Sequence, residues 1–394
     1  MSNHPLLVHP HDSGRQVADL PTPCVQAHAA NLMVLPDGTL ACVWFGGSME
    51  GKSDISVYMS RFDADTWQWT PAVQLSNDPD RSEQNPILFP VPDGALWLLH
   101  TAQFSGNQDT SIVRRRVSLD NGQTWGPTET LPDAPAGTFV RQPIHVTPDG
   151  AWLLPIFNCR TQPGEKWDGS LDDSAVLRST DQGASWQRSE VPESLGCVHM
   201  SIVPAADGSA LLGFFRSRWA DNIYATRSDD GGLTWQAPKP TVLPNNNSSI
   251  QALRLADGRL AMIFNASSAL DATERRESLY DELEDEGAPA QDDAPAATAT
   301  TTAARRAFWG APRAPMTLAL SEDDGQTWPW QRNLEVGDGY CMSNDSARGI
   351  NREYSYPSIR QTADGALHAA YTVFRQHIRH VRVMPEWITQ GAGE

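Results

Sequence analysis

Two stretches decide the fold: LMVLPDGTLACVWF (32–45) and SDDGGLTW (228–235). In the first, Asp37-Gly38 stands between two apolar runs. The same arrangement recurs at Asp93-Gly94, Asp149-Gly150, Asp207-Gly208, Asp257-Gly258 and Asp364-Gly365. Asp-Gly between such runs is the strongest short-range hairpin signal, because both central residues must reach φ > 0. The second stretch has the form Ser-x-Asp-x-Gly-x-(Thr/Ser)-Trp. It returns as SLDNGQTW (118–125), STDQGASW (179–186) and SEDDGQTW (321–328), with a worn copy, SRFDADTW (60–67). Each of the first five hairpins is followed by one such box.

The Asp-Gly spacings are 56, 56, 58, 50 and 107 residues. A unit of about 50 residues holds four strands, one blade of a β-propeller. The pattern therefore predicts an all-β, six-bladed β-propeller forming a single domain over 1–394. The blades fall at roughly 20–70, 80–130, 138–190, 196–240, 246–330 and 352–383. The hairpin joins the first two strands of each blade and the box joins the last two. The sixth hairpin has no box, so the closing blade is expected to be completed by an N-terminal strand near Leu6 to Val8. The doubled last interval marks an insertion, 270–314, expected to be a lid or interface loop. Its middle is acidic and then Ala/Thr/Pro-rich, a composition unable to bury enough apolar surface to order. Its edge ERRESLYDEL (274–283) is expected to form a short helix.

The boxes resemble the Asp-box (BNR) repeats of the sialidase, or neuraminidase, superfamily, over roughly residues 20–383. That resemblance implies a six-bladed ring and, in its catalytic members, a triad of arginines for a sugar carboxylate, a nucleophilic tyrosine paired with a glutamate in the last blade, and an aspartate acid/base in the first.

The net charge of −18, from 30 basic and 48 acidic residues, disfavours nucleic acid and anionic membrane surfaces as partners. An anionic substrate would need a local basic cluster working against this field. Five cysteines, at 24, 42, 159, 197 and 341, show no paired spacing. They read as reduced thiols, and with no signal pattern in MSNHPLLVHPHDSGRQ the expected location is cytoplasmic. No HExxH or CxxC occurs, so no metal or other cofactor is expected.

Strands alternate in direction, so hairpins and boxes share one end of the ring, and the irregular end should carry the chemistry. Inner strands begin there with QAHA (26–29), RSEQN (81–85), FVRQ (139–142), CVHM (197–200), NNNSS (245–249) and REYSY (352–356). Second strands end there with FGGSMEGKSD (45–54), HTAQFSGNQD (100–109), FNCRTQPGEKWDG (157–169), FFRSRWAD (214–221), FNASS (264–268) and VFRQHIR (373–379). Arg, His and amide side chains converging on one rim predict a ligand pocket at the ring centre.

Arg216 and Arg218 suit bidentate binding of a carboxylate; the plainer reading of Arg216 is a salt bridge to Asp221 or Glu50. By blade and strand end, Arg216 matches one arginine of the sialidase triad. Tyr354 and Tyr356 open the last blade, and one is expected to react while the other packs as core. Their neighbour Glu353, adjacent in the strand, points away from Tyr354. His28, standing where sialidases carry an arginine, and His199 are candidate acid/base groups. Asp54 lies where the resemblance implies an acid/base, or else serves as a partner of Lys52 or Arg216. Candidate substrate-binding residues are Arg141, Gln26, Glu50, Arg160, Asn246, Asn247, Arg352 and Arg375. Trp167, Trp219 and Trp309 are candidates for stacking on a sugar ring.

The leading expectation is a sialidase-like exo-glycosidase acting on a terminal anionic sugar. Only one triad arginine has a clear counterpart. One arginine with histidines and tyrosines also suits β-elimination from a uronic-acid glycoside. A non-catalytic carbohydrate-binding propeller is the third reading. In every case the expected partner is a carbohydrate.

Overall fold

The computed structural model describes residues 5–162, 164–276, 278–280, 282–283 and 305–390. They form six small antiparallel sheets arranged as a six-bladed β-propeller. From the inside outward, blade 1 is built from Gln26–Val34, Leu40–Gly47, Ser56–Asp63 and Gln68–Trp69. Blade 2 runs Ser82–Pro90, Leu96–Gln103, Ile112–Ser118 and Glu129–Thr130. Blade 3 runs Thr138–Val140, Trp152–Asn158, Asp173–Ser179 and Gln187–Glu190. Blade 4 runs Cys197–Pro204, Leu211–Ser217, Asn222–Ser228 and Lys239–Pro244. Blade 5 runs Gln251–Arg254, Leu260–Asn265, Met316–Ser321 and Trp330–Glu335. Blade 6 begins Tyr354–Gln361, Leu367–Val373 and His377–Val383.

Blade 6 is closed from the N-terminus, but not by the strand expected. Asp12–Asp19 pairs with His377–Val383, and Leu7–His9 lies one strand further out. The polar run DSGRQVAD concealed this strand, because only Val17 and Ala18 of it are apolar, while Leu6 and Leu20 beyond its ends add to the seam's core.

The box is a hydrogen-bonded clasp repeated four times. Ser118 Oγ donates to Asp120 (2.7 Å), Gly122 N donates to Ser118 Oγ (2.7 Å), and Thr124 donates to Asp120 through its amide (2.8 Å) and hydroxyl (2.5 Å). Equivalent bonds hold the boxes at Ser179, Ser228 and Ser321. The box tryptophan then packs into the apolar cluster shared with the preceding blade: Trp125 between blades 1 and 2, Trp186 between 2 and 3, Trp235 between 3 and 4, and Trp328 between 4 and 5. The worn box departs from this. Trp67 is turned out, and Trp69, fully buried, fills the seam between blades 6 and 1.

The described residues of 274–283 form no helix; the one helical turn at this edge is the 3-10 turn Ala269–Asp271. Arg276 is bridged to Trp309, and residues 279, 280 and 282 lie in turns; the low-complexity middle lies outside the described residues. All five cysteines are free, four buried and Cys24 half-buried. Among the described residues no helix is long and apolar enough to cross a membrane.

Candidate functional site

Neighbouring strands within each sheet are antiparallel, so hairpins and boxes share one end and the inner-strand starts meet at the other. There the backbone repeats a kink. Ala29, Asn85, His199 and Tyr356 each lie near the start of an inner strand with φ of 60°, 50°, 56° and 52°, and Asn247, just ahead of the fifth, has 58°. In blades 1, 2, 4 and 6 the pairing register slips at this point. A bulge of this kind re-aims a side chain, and left-handed backbone at bulky residues such as His and Tyr is costly, so it persists where a site requires it.

The kinks bring Tyr356, His28 and His199 together on the ring axis. The Tyr356 ring centroid lies 4.3 Å from that of His28 and 5.6 Å from that of His199. Arg216 Nη1 donates to the Tyr356 hydroxyl oxygen at 2.6 Å, and Arg216 Nε donates to Asn247 Oδ1 at 2.8 Å. Arg141 lies against the same ring, 5.5 Å from its centroid, with Arg313 at 5.7 Å. Arg141 Nη2 donates to the carbonyls of Ala30 (3.0 Å), Tyr356 (3.1 Å) and Pro357 (3.2 Å), which ties blades 1, 3 and 6.

Carboxylates surround the cluster without neutralising it. Arg375 binds Glu353 and Glu50, each at 2.5 Å; Arg313 binds Glu353 at 2.9 Å; Arg218 binds Asp172 at 2.6 Å. Among the described residues Arg141 and Arg216 pair with no carboxylate. Arg216 therefore meets neither Asp221 nor Glu50, and two buried guanidiniums are left over in a protein of net charge −18.

Desolvation by burial pulls the Arg216 guanidinium down to about 9 and that of Arg141 to about 10. Burial, with the nearby arginines adding to it, holds His28 and His199 well below the usual imidazole value, so both are neutral at pH 7. Burial pushes the Glu353 carboxyl up, but Arg375 and Arg313 outweigh it and bring it down to about 2. Both His28 nitrogens, His199 Nδ1, Arg216 Nη2 and Arg141 Nη1 are buried without a hydrogen-bond partner among the described residues. Buried polar atoms are normally paired, and five orphans around one tyrosine are the mark of a ligand site.

The insertion lies over this end. Tyr280 Oη accepts from Gln103 (3.0 Å) and Gln108 (2.8 Å), Ser343 Oγ donates to Glu282 at 2.7 Å, and Asn247 Nδ2 donates to Phe308 O at 2.8 Å. Gln26 Nε2 reaches Asn344 O at 3.1 Å and Asn246 Nδ2 reaches Pro312 O at 2.7 Å, so both support the cover. Trp167 and Trp309 flank Arg218, their centroids 5.3 and 5.2 Å from its guanidinium carbon; Trp219 packs instead beside Arg305.

Four candidates stand apart from the cluster. Tyr354 is packed with Tyr371 and Phe374 between blades 5 and 6, because the kink at Tyr356 turns only the latter to the axis. Asp54 is exposed and closes its own loop, accepting from Ser48 N and Ser48 Oγ at 3.0 Å, not from Lys52 or Arg216. Arg160 pairs with Asp173 and Arg352 with Asp338 at exposed positions. Conversely, Arg313, Asp172 and Tyr280 escaped notice. Arg313 and Asp172 precede third strands, and Tyr280 lies within the insertion, whereas the signal sought was at first-strand starts and second-strand ends.

The BNR repeat-like domain family model matches residues 38–369. No curated protein matches the chain in sequence. Among solved structures, a protein of unknown function from Dyadobacter fermentans aligns at a TM-score of 0.66 and 15% identity, covering 94% of this chain and 99% of the other. The intramolecular trans-sialidase of Ruminococcus gnavus aligns at 0.63 and 12%, covering 92% and 95%. The NanB sialidase of Streptococcus pneumoniae aligns at 0.67 and 11%, covering 98% and 71%. At these identities the likeness is one of fold. The repeat match, spanning most of the chain, places this protein in the BNR repeat-like family.

Proposed function

We propose that the chain cleaves the glycosidic bond of a terminal, carboxylate-bearing sugar, with Tyr356 as the reacting group. The observation that carries this reading is the Arg216–Tyr356 contact between two neutral histidines. A guanidinium that donates to the phenolic oxygen favours its negative charge while leaving the phenolic proton free to move. A neutral imidazole beside it is the right form to accept that proton. The unpaired Arg216 Nη2 then suits the sugar carboxylate.

In the sialidase-type form, Tyr356 attacks the anomeric carbon. Its proton passes through a histidine to the departing oxygen, and water releases the sugar. The sialidase and trans-sialidase relatives in fold support this form. One observation favours the second form, elimination from a uronic acid: among the described residues, the candidate carboxyls Glu353, Glu50 and Asp54 are all engaged and none is free to protonate a leaving group. Glu353 is held by two arginines, and Asp54 clasps its own loop. In elimination Arg216 would neutralise the carboxylate, and Tyr356 or a histidine would take the C5 proton as the C4–O bond breaks.

A panel of sialosides and uronic-acid oligosaccharides tests both. Free sugar without new absorbance near the unsaturated-uronate band means hydrolysis, and absorbance there means elimination. No turnover across the panel would overturn the enzymatic reading in favour of a binding propeller.

A further inference from the structure

We propose that the cleft at the hairpin-and-box end of the seam between blades 1 and 6 is a second, non-catalytic glycan site that takes uncharged sugar residues. This cleft, of about 770 Å³, lies between the Asp37-Gly38 hairpin, the worn box with Asp63, Asp65 and Trp67, and the Asp364 hairpin of blade 6. It is at the opposite end of the ring from Tyr356, and the proposal does not depend on the activity proposed above.

Trp67 carries the argument. Of the tryptophans at the same place in the intact boxes, Trp186, Trp235 and Trp328 are 6% exposed and Trp125 is half-buried; Trp67 is 39% exposed and has φ of 57°. Its packing role has passed to Trp69, two residues on. Its ring meets Phe62 at the edge (6.2 Å between centroids) and Arg382, whose guanidinium carbon is 5.6 Å from the centroid, and a large aromatic held in the left-handed region without wedging between blades is a residue kept for its exposed surface. An indole with one face toward a polar cleft is a platform for the apolar face of a pyranose, and its rim supplies hydrogen bonds to the hydroxyls.

The charge of the rim selects the sugar. Against Asp37, Asp63, Asp65 and Asp364 the cleft sets Arg61, Arg382 and His368, whose imidazole burial pulls below its usual value. Arg382 is taken by Asp364 at 2.7 Å, and among the described residues the other three aspartates form no ion pair. An excess of carboxylates repels a carboxylated sugar and accepts from hydroxyls, the reverse of the Arg216 pocket. The two sites therefore suit different residues of one mixed glycan, an anionic terminus and neutral residues elsewhere.

Native-gel affinity electrophoresis against soluble neutral polysaccharides (β-glucan, galactomannan, dextran), with pectin as the anionic counterpart, tests this. At least one neutral polymer should retard the full chain, and pectin should not do so through this cleft. Trp67→Ala should raise the dissociation constant at least tenfold. Ala64→Arg, which fills the cleft from an exposed wall position and removes no packing, should do the same and decides the matter if the first variant fails to fold. Tyr356→Phe should be retarded like the unaltered protein, which separates this site from the catalytic reading. No retardation by any neutral polymer, or equal retardation of Ala64→Arg, would overturn the proposal.

Discussion

Arg216, at the end of the second strand of blade 4, donates to the hydroxyl of Tyr356, in the inner strand of blade 6, across 2.6 Å of buried space on the ring axis. The two are 140 positions apart in sequence. Tyr356→Phe removes the phenolic oxygen and leaves the ring packed against His28. It should lower kcat/KM at least about a hundredfold on whichever substrate the panel identifies. Arg216→Ala strips the cation from the same oxygen and from the substrate, and should cost about 2–5 kcal/mol in kcat/KM. Steady-state kinetics measures both, and near-normal turnover by Tyr356→Phe would remove the tyrosine from the chemistry.

Asp54 provides a contrast. Resemblance to sialidases implies an acid/base here, but its carboxylate is exposed and holds Ser48. Asp54→Asn should keep activity within about threefold, in line with a surface change away from the reacting atoms. A loss of a hundredfold or more would mean that this loop swings inward during the reaction.

Glu353 is the electrostatic pin of the pocket floor, shared by Arg313 and Arg375. Glu353→Gln leaves the buried Arg313 with no carboxylate and Arg375 with Glu50 alone, and should destabilise the fold by roughly 3–5 kcal/mol. Denaturant titration reads this directly. A neutral effect would indicate that Glu50, already paired with Arg375, suffices for it and that Arg313 relaxes toward solvent.

The contrast between Glu353 and Arg313 shows what sequence can carry. Hairpins and boxes are local signals, a few residues long and repeated, so six blades were legible from Asp-Gly turns and four intact clasps. The parity of strand connections then put His28, His199, Arg216, Asn247 and Tyr356 at one mouth, where the structure has them. Which of Tyr354 and Tyr356 faces the axis was not legible, because the answer depends on a bulge with no composition signal of its own. Arg313 was not legible either, since its position follows from where a long insertion returns to the ring. Asp12–Asp19 was missed because, as an outer strand, it contributes few apolar side chains to the core and so lacks the alternation that marks an inner one.

Gly183 tests the clasp as a packing device. It has φ of 80°, and a Cβ there would lie 2.4 Å from the Trp97 ring of the neighbouring blade. The bulky indole is itself wedged edge-on against Trp152, 5.3 Å between centroids, so it has little room to retreat. Gly183→Ala should therefore cost about 2 kcal/mol or more, combining left-handed strain with overpacking. Gly150→Ala shares the backbone strain, at φ of 85°, but meets nothing within 4 Å. The difference between the two in thermal melting isolates the contact with Trp97, and equal losses would show that backbone conformation alone matters.

The buried histidines set the response to acid. His28 and His199 are held well below their unfolded value of 6.5. Between the two values the unfolded chain binds more protons, so stability is complete above pH 6.5 and falls as the pH drops below it. Each titrating histidine contributes a slope of about 1.4 kcal/mol per pH unit. Glu353 acts in a lower window: its carboxyl falls from 4.5 to about 2 on folding, so its contribution is present above pH 4.5 and is lost toward pH 2. A fall in melting temperature between pH 6.5 and 5 therefore reports the histidines. His145, His368 and His380 are also depressed and share in it. The double variant His28→Gln, His199→Gln should make this limb shallower, leaving the share of the other depressed histidines, without altering the fall below pH 4.5. An unchanged limb would mean that both imidazoles are protonated in the folded protein, which would also deprive Tyr356 of its base.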